Sequence, residues 1–503
     1  MRFASLIVEL IRARPRLVFW IAVLCQALLW FAVPLLLYSG PPGDLATVLA
    51  YGREYQVGTD LGPPLATWLA DIAFRAAGGH IFGVYLLAQV CAVLMFRAVY
   101  QLGRHIVGGP QAVVAVLLTM TVTAFSSPGI EFGPLVLARP LWAMVLLHAW
   151  LAIGQGRRNA WFALSIEAGL LLLTTPQAMW LLPLPLLFGL AIARGRRNLA
   201  SLDPFFAMLV VAALALPYAV WVIRSGTPVL PPPPILTDLA GKAWRWGLLL
   251  AWLVAAAAGI WVLTAMNWRR LAPSGGDAPV IPRAPVDLPA RAYVYVCAFV
   301  PALFGSLLAA LYGRSSVVGG AGIALVMSGL AVVVASGDLI TLRRQRVLRK
   351  VWVAAIVAPA LAVLVNVIVF PWFDRPEDRT ALPARAIGRF FGDSFARRTG
   401  HELQAVAGDP QLAALIGMSA SRPHVLNDAQ PERTPWITQA KFMETGGVIV
   451  WRATDTVGTP PADLASRFPG LVPEVPQAFD RLINGTRPVL RVGWAIIRPK
   501  GNL

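Results

Sequence analysis

Apolar runs long enough to cross a bilayer recur along this chain, separated by short turns rich in arginine. A helix needs about 17–25 apolar residues to span the hydrocarbon core. The runs at 17–38, 80–100, 134–153, 205–223, 247–266, 291–312, 317–336 and 351–371 meet that need. The run at 111–127 is shorter but equally apolar, and Thr174-Thr175-Pro176 breaks the long run 160–193 into two short helices. The pattern predicts about eleven spans. The first run is long and has no small-residue cleavage site, so it reads as an anchor, not a signal peptide.

The polar turns orient these spans. Arg12-Ala13-Arg14-Pro15-Arg16, Gly156-Arg157-Arg158, Gly195-Arg196-Arg197, Trp268-Arg269-Arg270 and Arg343-Arg344-Gln345-Arg346 recur between apolar runs. Such clusters stay on the cytoplasmic face, which predicts an amino terminus inside. An odd number of spans then puts the carboxy terminus outside, in the periplasm of a bacterial inner membrane. The alternate loops also face outward, and they hold Asp44, Asp60 and Glu131.

After residue 371 the period shortens and charge rises. Residues 403–407, 448–451 and 489–497 read as strands, and 409–418 and 461–468 as helices. The fold expected is an all-α polytopic membrane domain over 1–371, with a first outer loop at 39–79. A small periplasmic α/β domain follows over 372–503.

Composition agrees with a membrane protein: 57% hydrophobic and 14% charged residues, with mean hydropathy +0.66. The net charge of +18 lies at the ends of apolar runs and not in one patch, which argues against nucleic acid as a partner. Cys25, Cys91 and Cys297 all fall inside apolar segments without Cys-x-x-Cys spacing, so they read as small buried hydrophobes. No internal repeat is visible, which argues against a two-halved transporter.

The first outer loop carries the most specific sequence. Asp44 follows the first span, and Pro63-Pro64-Leu65-Ala66-Thr67-Trp68-Leu69 follows after a spacer. Phe132 and Pro140-Leu141-Trp142-Ala143 come later. Together they resemble the signature of polyprenyl-phosphate-sugar glycosyltransferases of the GT-C fold. That family includes dolichyl-phosphate-mannose protein mannosyltransferases and bacterial lipid A and rhizobial lipopolysaccharide sugar transferases. The resemblance covers roughly the first 200 residues. It implies a GT-C-like membrane domain, a polyprenyl-phosphate sugar donor, and an acceptor such as lipopolysaccharide, another lipid or a protein. Two positions depart from the pattern: Leu135 stands where many relatives carry an acid, and Thr174-Thr175 stands where they often show Thr-Lys.

Transfer from such a donor needs a base, or a carboxylate-bound divalent cation, near the acceptor hydroxyl, and cations to hold the leaving phosphate. Both must lie at headgroup depth, because the phosphate cannot enter hydrocarbon. Asp44 and Glu131 are the candidate catalytic acids. Arg53, Arg139 and Arg245, with Arg224 and Lys242, are placed to pair with phosphate. Asp60, Tyr55, Thr174 and Thr175 complete the candidate substrate site, with Tyr51, Trp68 and Trp244 as aromatic faces for a sugar. Against these stand simpler readings. Asp44 would cap a helix starting at Leu45, Asp60 would cap the turn before Pro63, and Glu131 would be an interfacial acid. His148, Glu167 and Arg97 would pair within the bundle. A catalytically silent relative that binds lipid-linked sugar or scaffolds a partner, and a transporter or flippase, are the alternatives to an enzyme.

Overall fold

The computed structural model describes residues 3–126, 131–226, 234, 237–267, 280–373, 379–430, 433–453, 455–486 and 488–500. Trp268-Arg269-Arg270, most of the 267–289 linker and residues 231–233 of the proline run lie outside the described residues. By contact the chain falls into two compact units. One comprises 1–31, 88–129 and 134–361; the other gathers 32–87, 130–133 and 362–503.

Six helices among the described residues are long and apolar enough to cross a membrane: Pro15–Leu37, Phe82–Ile106, Pro134–Gly154, Asp203–Ser225, Leu288–Leu311 and Gln345–Trp372. Two broken pairs bring the number to eight if each is one span. Ala178–Ala191 with Ala193–Leu199 bends by 115°, and Leu239–Ala256 with Ala258–Met266 by 56°. A count of eleven is reached only with the shorter apolar helices Gly109–Thr119, Asn159–Leu172 and Gly320–Ala335. The break at Thr174-Thr175-Pro176 falls between a helix ending at Leu172 and one starting at Ala178. Proline there removes a backbone donor and ends the hydrogen-bond ladder. His148 and Glu167 pair with each other at 2.8 Å across neighbouring helices, as expected of ionisable groups inside an apolar bundle. Cys91 and Cys297 are buried, but Cys25 is exposed, a correction to its reading as a buried hydrophobe.

The second unit includes two short helices of the 39–79 loop, α1 (Leu45–Gly52) and α2 (Leu65–Ala76). Its carboxy-terminal part is built from α3 (Ala384–Thr399), β1 (Ala405–Gly408), α4 (Pro410–Gly417), β2 (His424–Asn427), α5 (Gln439–Thr445), β3 (Gly447–Arg452), α6 (Ala462–Arg467), β4 (Glu474–Phe479) and β5 (Leu490–Ile497). The sheet runs in the order β2-β1-β3-β5-β4, parallel through β2, β1 and β3 and antiparallel beyond.

Side chains alternate across its two faces, as strand geometry requires. Val406, Val448, Val450, Val492 and Trp494 pack on one side with Phe391, Phe395 and Leu415. Ala405, Ala407, Leu426, Ile449 and Trp451 pack on the other with Phe442, Leu464 and Phe468. Because β1 and β3 are buried on both faces, they read as unbroken apolar runs. Asp409 caps α4 by accepting from the backbone N–H groups of Gln411 and Leu412, both at 3.0 Å, with Pro410 at the first helical position.

The 39–79 loop belongs to the same core. Ala46, Ala50 and Tyr51 of α1 are buried against Leu382, Leu415 and Val425. The small side chain of Ala50 lets α1 approach α4 closely; a Cβ on Gly417 would lie 3.5 Å from that of Ala50.

Candidate functional site

The stretch 39–44, between the first membrane-length helix and α1, is zipped to residues 379–382. Ser39 and Gly40 both donate their backbone N–H to Thr380 O at 3.0 Å. Gly40 tolerates this approach because it has no Cβ, which would sit 2.6 Å from Leu382 O.

The zipper brings Arg379 to Asp44. Arg379 Nη1 donates to Gly43 O at 2.9 Å and is ion-paired with Asp44 Oδ1. Asp44 occupies the position before α1 but makes no side-chain cap hydrogen bond. Its backbone, at φ −94° and ψ 14°, lies outside the β region that a capping residue favours. The capping reading is therefore replaced by an ion pair. The Asp44 side chain stays 72% exposed, accessible to a substrate.

Glu131 lies directly beside this turn. Gly43 adopts φ +53°, and a Cβ there would fall 2.5 Å from Glu131 Cδ. Asp44 and Glu131 are thus brought to one turn of the chain, with Arg379 joining them. Among the described residues no group of three or more His, Cys, Asp or Glu is placed to hold a metal ion. Asp44 and Glu131 supply two carboxylates, short of such a group.

The other loop candidates turn toward the carboxy-terminal sheet. Asp60 Oδ2 accepts from Arg433 Nε and Nη2, each at 3.1 Å, instead of capping the turn before Pro63. Tyr51 is buried, and its hydroxyl accepts from Asn427 Nδ2 at 2.6 Å, which rules it out as an exposed sugar platform. Burial raises its pKa above the ordinary tyrosine value. Tyr55, at φ +48°, donates its hydroxyl to Asp71 Oδ2 at 2.9 Å. Burial and then that hydrogen bond raise its pKa. Trp68 donates Nε1 to Gln56 O at 3.0 Å. Arg53 lies among Glu54, Asp71, Arg75 and Arg422, and burial pushes its pKa down from the ordinary arginine value.

The remaining candidates belong to the other compact unit. Arg139 Nη1 donates to Ala124 O at 3.0 Å, and its guanidinium lies over the Phe125 ring. It helps line a small cavity of about 20 Å³ with Cys91, Met95 and Phe96. Thr174 is buried and donates its hydroxyl to Leu170 O at 2.7 Å. Thr175 Oγ1 accepts from Gln177 N at 3.4 Å. Arg245 and Trp244 are exposed.

Arg379, Asp71, Arg75, Arg422, His424 and Arg433 were not among the sequence candidates. Asp71 and Arg75 carried a local signal, an acid followed four residues later by a base on one helix face. The others contact the loop across more than 300 positions.

Residues 62–221 match the family model described as dolichyl-phosphate-mannose-protein mannosyltransferase. No curated protein matches the chain. Among solved structures, ArnT from Cupriavidus metallidurans in the apo state aligns over 96% of this chain and 99% of its own, with 14% identity and a TM-score of 0.56. Arabinofuranosyltransferase AftD from mycobacteria aligns over 96% of this chain and 40% of its own, with 14% identity and a TM-score of 0.53. Both have the GT-C fold, and this chain shares it.

Proposed function

We propose that this multi-pass membrane protein is a glycosyltransferase that moves a sugar from a polyprenyl-phosphate donor to a hydroxyl of a periplasmic acceptor. The observation that carries this reading is Asp44: an exposed, uncapped carboxylate just after a membrane-length helix, paired with Arg379 and flanked by Glu131. The family match over 62–221 supports the class of donor.

In the proposed reaction, Asp44 takes the proton of the acceptor hydroxyl as its oxygen attacks the anomeric carbon. The bond from that carbon to the phosphate oxygen breaks, and the polyprenyl phosphate leaves with the electron pair. Arg379, on the same turn, would then exchange its contact with Asp44 for one with the phosphate, where its planar fork makes paired hydrogen bonds. Glu131 would hold a sugar or acceptor hydroxyl beside Asp44. Arg139, Arg245, Thr174 and Thr175 remain proposed substrate contacts.

The outcome expected of a deletion strain is loss of one sugar modification from its envelope lipids or glycans, restored by the parental gene and read by mass spectrometry. An unchanged envelope profile, in conditions where the protein is made, would contradict the reading. A second reading, a catalytically silent relative that binds lipid-linked sugar or scaffolds a partner, is favoured by Leu135 and Thr175, which stand where related sequences often carry an acid and a lysine. It predicts donor binding without transfer by the purified protein.

The same reading places residues 372–503 in the periplasm and the amino terminus in the cytoplasm. Reporter fusions after Gly195 and Gly275 should give cytoplasmic signals, and one after Asp374 a periplasmic signal. A cytoplasmic signal from the Asp374 fusion would overturn this topology.

A further inference from the structure

The same compact unit holds a second charge cluster, to which the reaction steps written above assign no role. Arg53 follows α1, Arg75 lies in the last turn of α2, and Arg422 stands between α4 and β2. Facing them are Asp71, Glu54 and His424. The acids are already engaged. Asp71 Oδ2 accepts from Arg75 Nε at 2.7 Å and from the Tyr55 hydroxyl, whereas Oδ1 is ion-paired with Arg422 Nη2 at 2.5 Å but, buried, accepts no hydrogen bond. Glu54 Oε1 is 2.7 Å from His424 Nδ1.

Donors are left over. Arg53 Nη1 and Arg422 Nε and Nη1 are buried and have no hydrogen-bond partner. Buried N–H groups of a charged side chain are costly to leave unpaired, so folded proteins rarely keep them without another partner. The two arginines are close neighbours: the Arg53 backbone N–H and Arg422 Nη2 both donate to Leu49 O, at 3.3 and 3.4 Å. Three guanidinium groups face two carboxylates, an excess of one positive charge. Arg422 also holds a left-handed backbone, φ +45°, where bulky residues are uncommon and local strain often marks function. Arg75 and Tyr55 are about half exposed and open the cluster to solvent.

We propose that Arg53 and Arg422 form a receptor for a phosphate-class oxyanion. Unpaired N–H donors on two neighbouring guanidinium groups suit the several oxygens of a tetrahedral phosphate, an anion that arginine binds well. The phosphate arrives free or on a lipid. The lipid source is either a polyprenyl phosphate, which ties the site to the transfer reaction proposed above, or a bilayer headgroup.

The test uses the full-length protein in phosphatidylcholine nanodiscs and reads binding, not sugar transfer, so its failure is distinct from failure of the transfer reading. Three probes are compared: inorganic phosphate, nanodiscs carrying polyprenyl monophosphate, and nanodiscs carrying phosphatidylglycerol. Phenylglyoxal modification of each arginine is followed by peptide mass spectrometry. At least one probe should slow modification of Arg53 and Arg422 by about fivefold or more while leaving exposed Arg491 unchanged, and the protecting probe identifies the source. Arg53→Gln and Arg422→Gln should each weaken binding of that probe by at least about tenfold, with Arg491→Gln as the neutral control. If Arg422→Gln fails to fold after losing its contact with Asp71, the wild-type protection pattern decides alone. Equal modification of Arg53 and Arg422 with and without all three probes would overturn the proposal.

Discussion

Asp44→Asn should lower sugar transfer by about 100- to 10,000-fold, the range typical for loss of a general base. Asparagine keeps the shape and a hydrogen-bonding oxygen while removing charge and basicity. The structural cost should be small. Asp44 makes no cap hydrogen bond to lose, and its ion pair with Arg379 is largely exposed. Exposed pairs contribute only about 0–1 kcal/mol. A large loss of rate with an unchanged melting temperature would therefore separate catalysis from folding. Transfer would be followed in membranes at matched protein levels, beside Glu131→Gln. If Asp44→Asn kept the parental rate while Glu131→Gln abolished it, the two roles would be reversed. If neither changed a demonstrably active preparation, the base would lie elsewhere in the chain.

The elements that were legible in the sequence are those whose burial imposes a local pattern. Membrane-length helices announce themselves because lipid forces every backbone group to be satisfied within the segment. The strand at 447–452 was visible for a similar reason: both of its faces are buried, so its residues read as one apolar run. The strand at 424–427 is only four residues long and opens with His424, and the strand at 474–479 is an exposed edge interrupted by Pro476. Neither shows a clean period, and neither was read.

The site divides along the same line. Asp44 was legible from its place after the first apolar run and from the Pro63-Pro64-Leu65 element downstream. Arg379 was not, because 335 positions separate it from Asp44 and only the backbone zipper at Ser39 and Gly40 brings the two together. The inward turn of Arg53 was equally hidden. An arginine in the 39–79 loop reads as free to meet a phosphate near Asp44, but it is partly buried among Glu54, Arg422, Arg75 and Asp71, and Arg422 belongs to the carboxy-terminal part. The capping reading of Asp44 failed for a different reason. Residue type and position allow a cap, but the backbone angles decide it, and they are fixed by the turn at Gly43.

That turn supports the second large effect. Gly43→Ala should reduce transfer by about 100-fold, at a cost of about 1–2 kcal/mol in stability. Alanine at φ +53° costs about 1–2 kcal/mol in the left-handed region. Its methyl group would also stand 2.5 Å from Glu131 Cδ and 2.6 Å from Oε2, closer than real contacts allow. What must yield is the far end of a flexible side chain, so the fold absorbs the change cheaply while the Glu131 carboxylate moves away from Asp44. A displacement of about 1 Å at a reacting group is enough to cost about 100-fold in rate. The same logic fixes how the change combines with others. Once Glu131→Gln has already removed the carboxylate, Gly43→Ala should add less than about tenfold, because residues in contact do not act independently. Full additivity of the two losses would show that Gly43 acts through the Asp44 backbone and not through Glu131. A parental rate for Gly43→Ala, at matched protein level, would mean that the spacing of the two acids does not matter to the reaction.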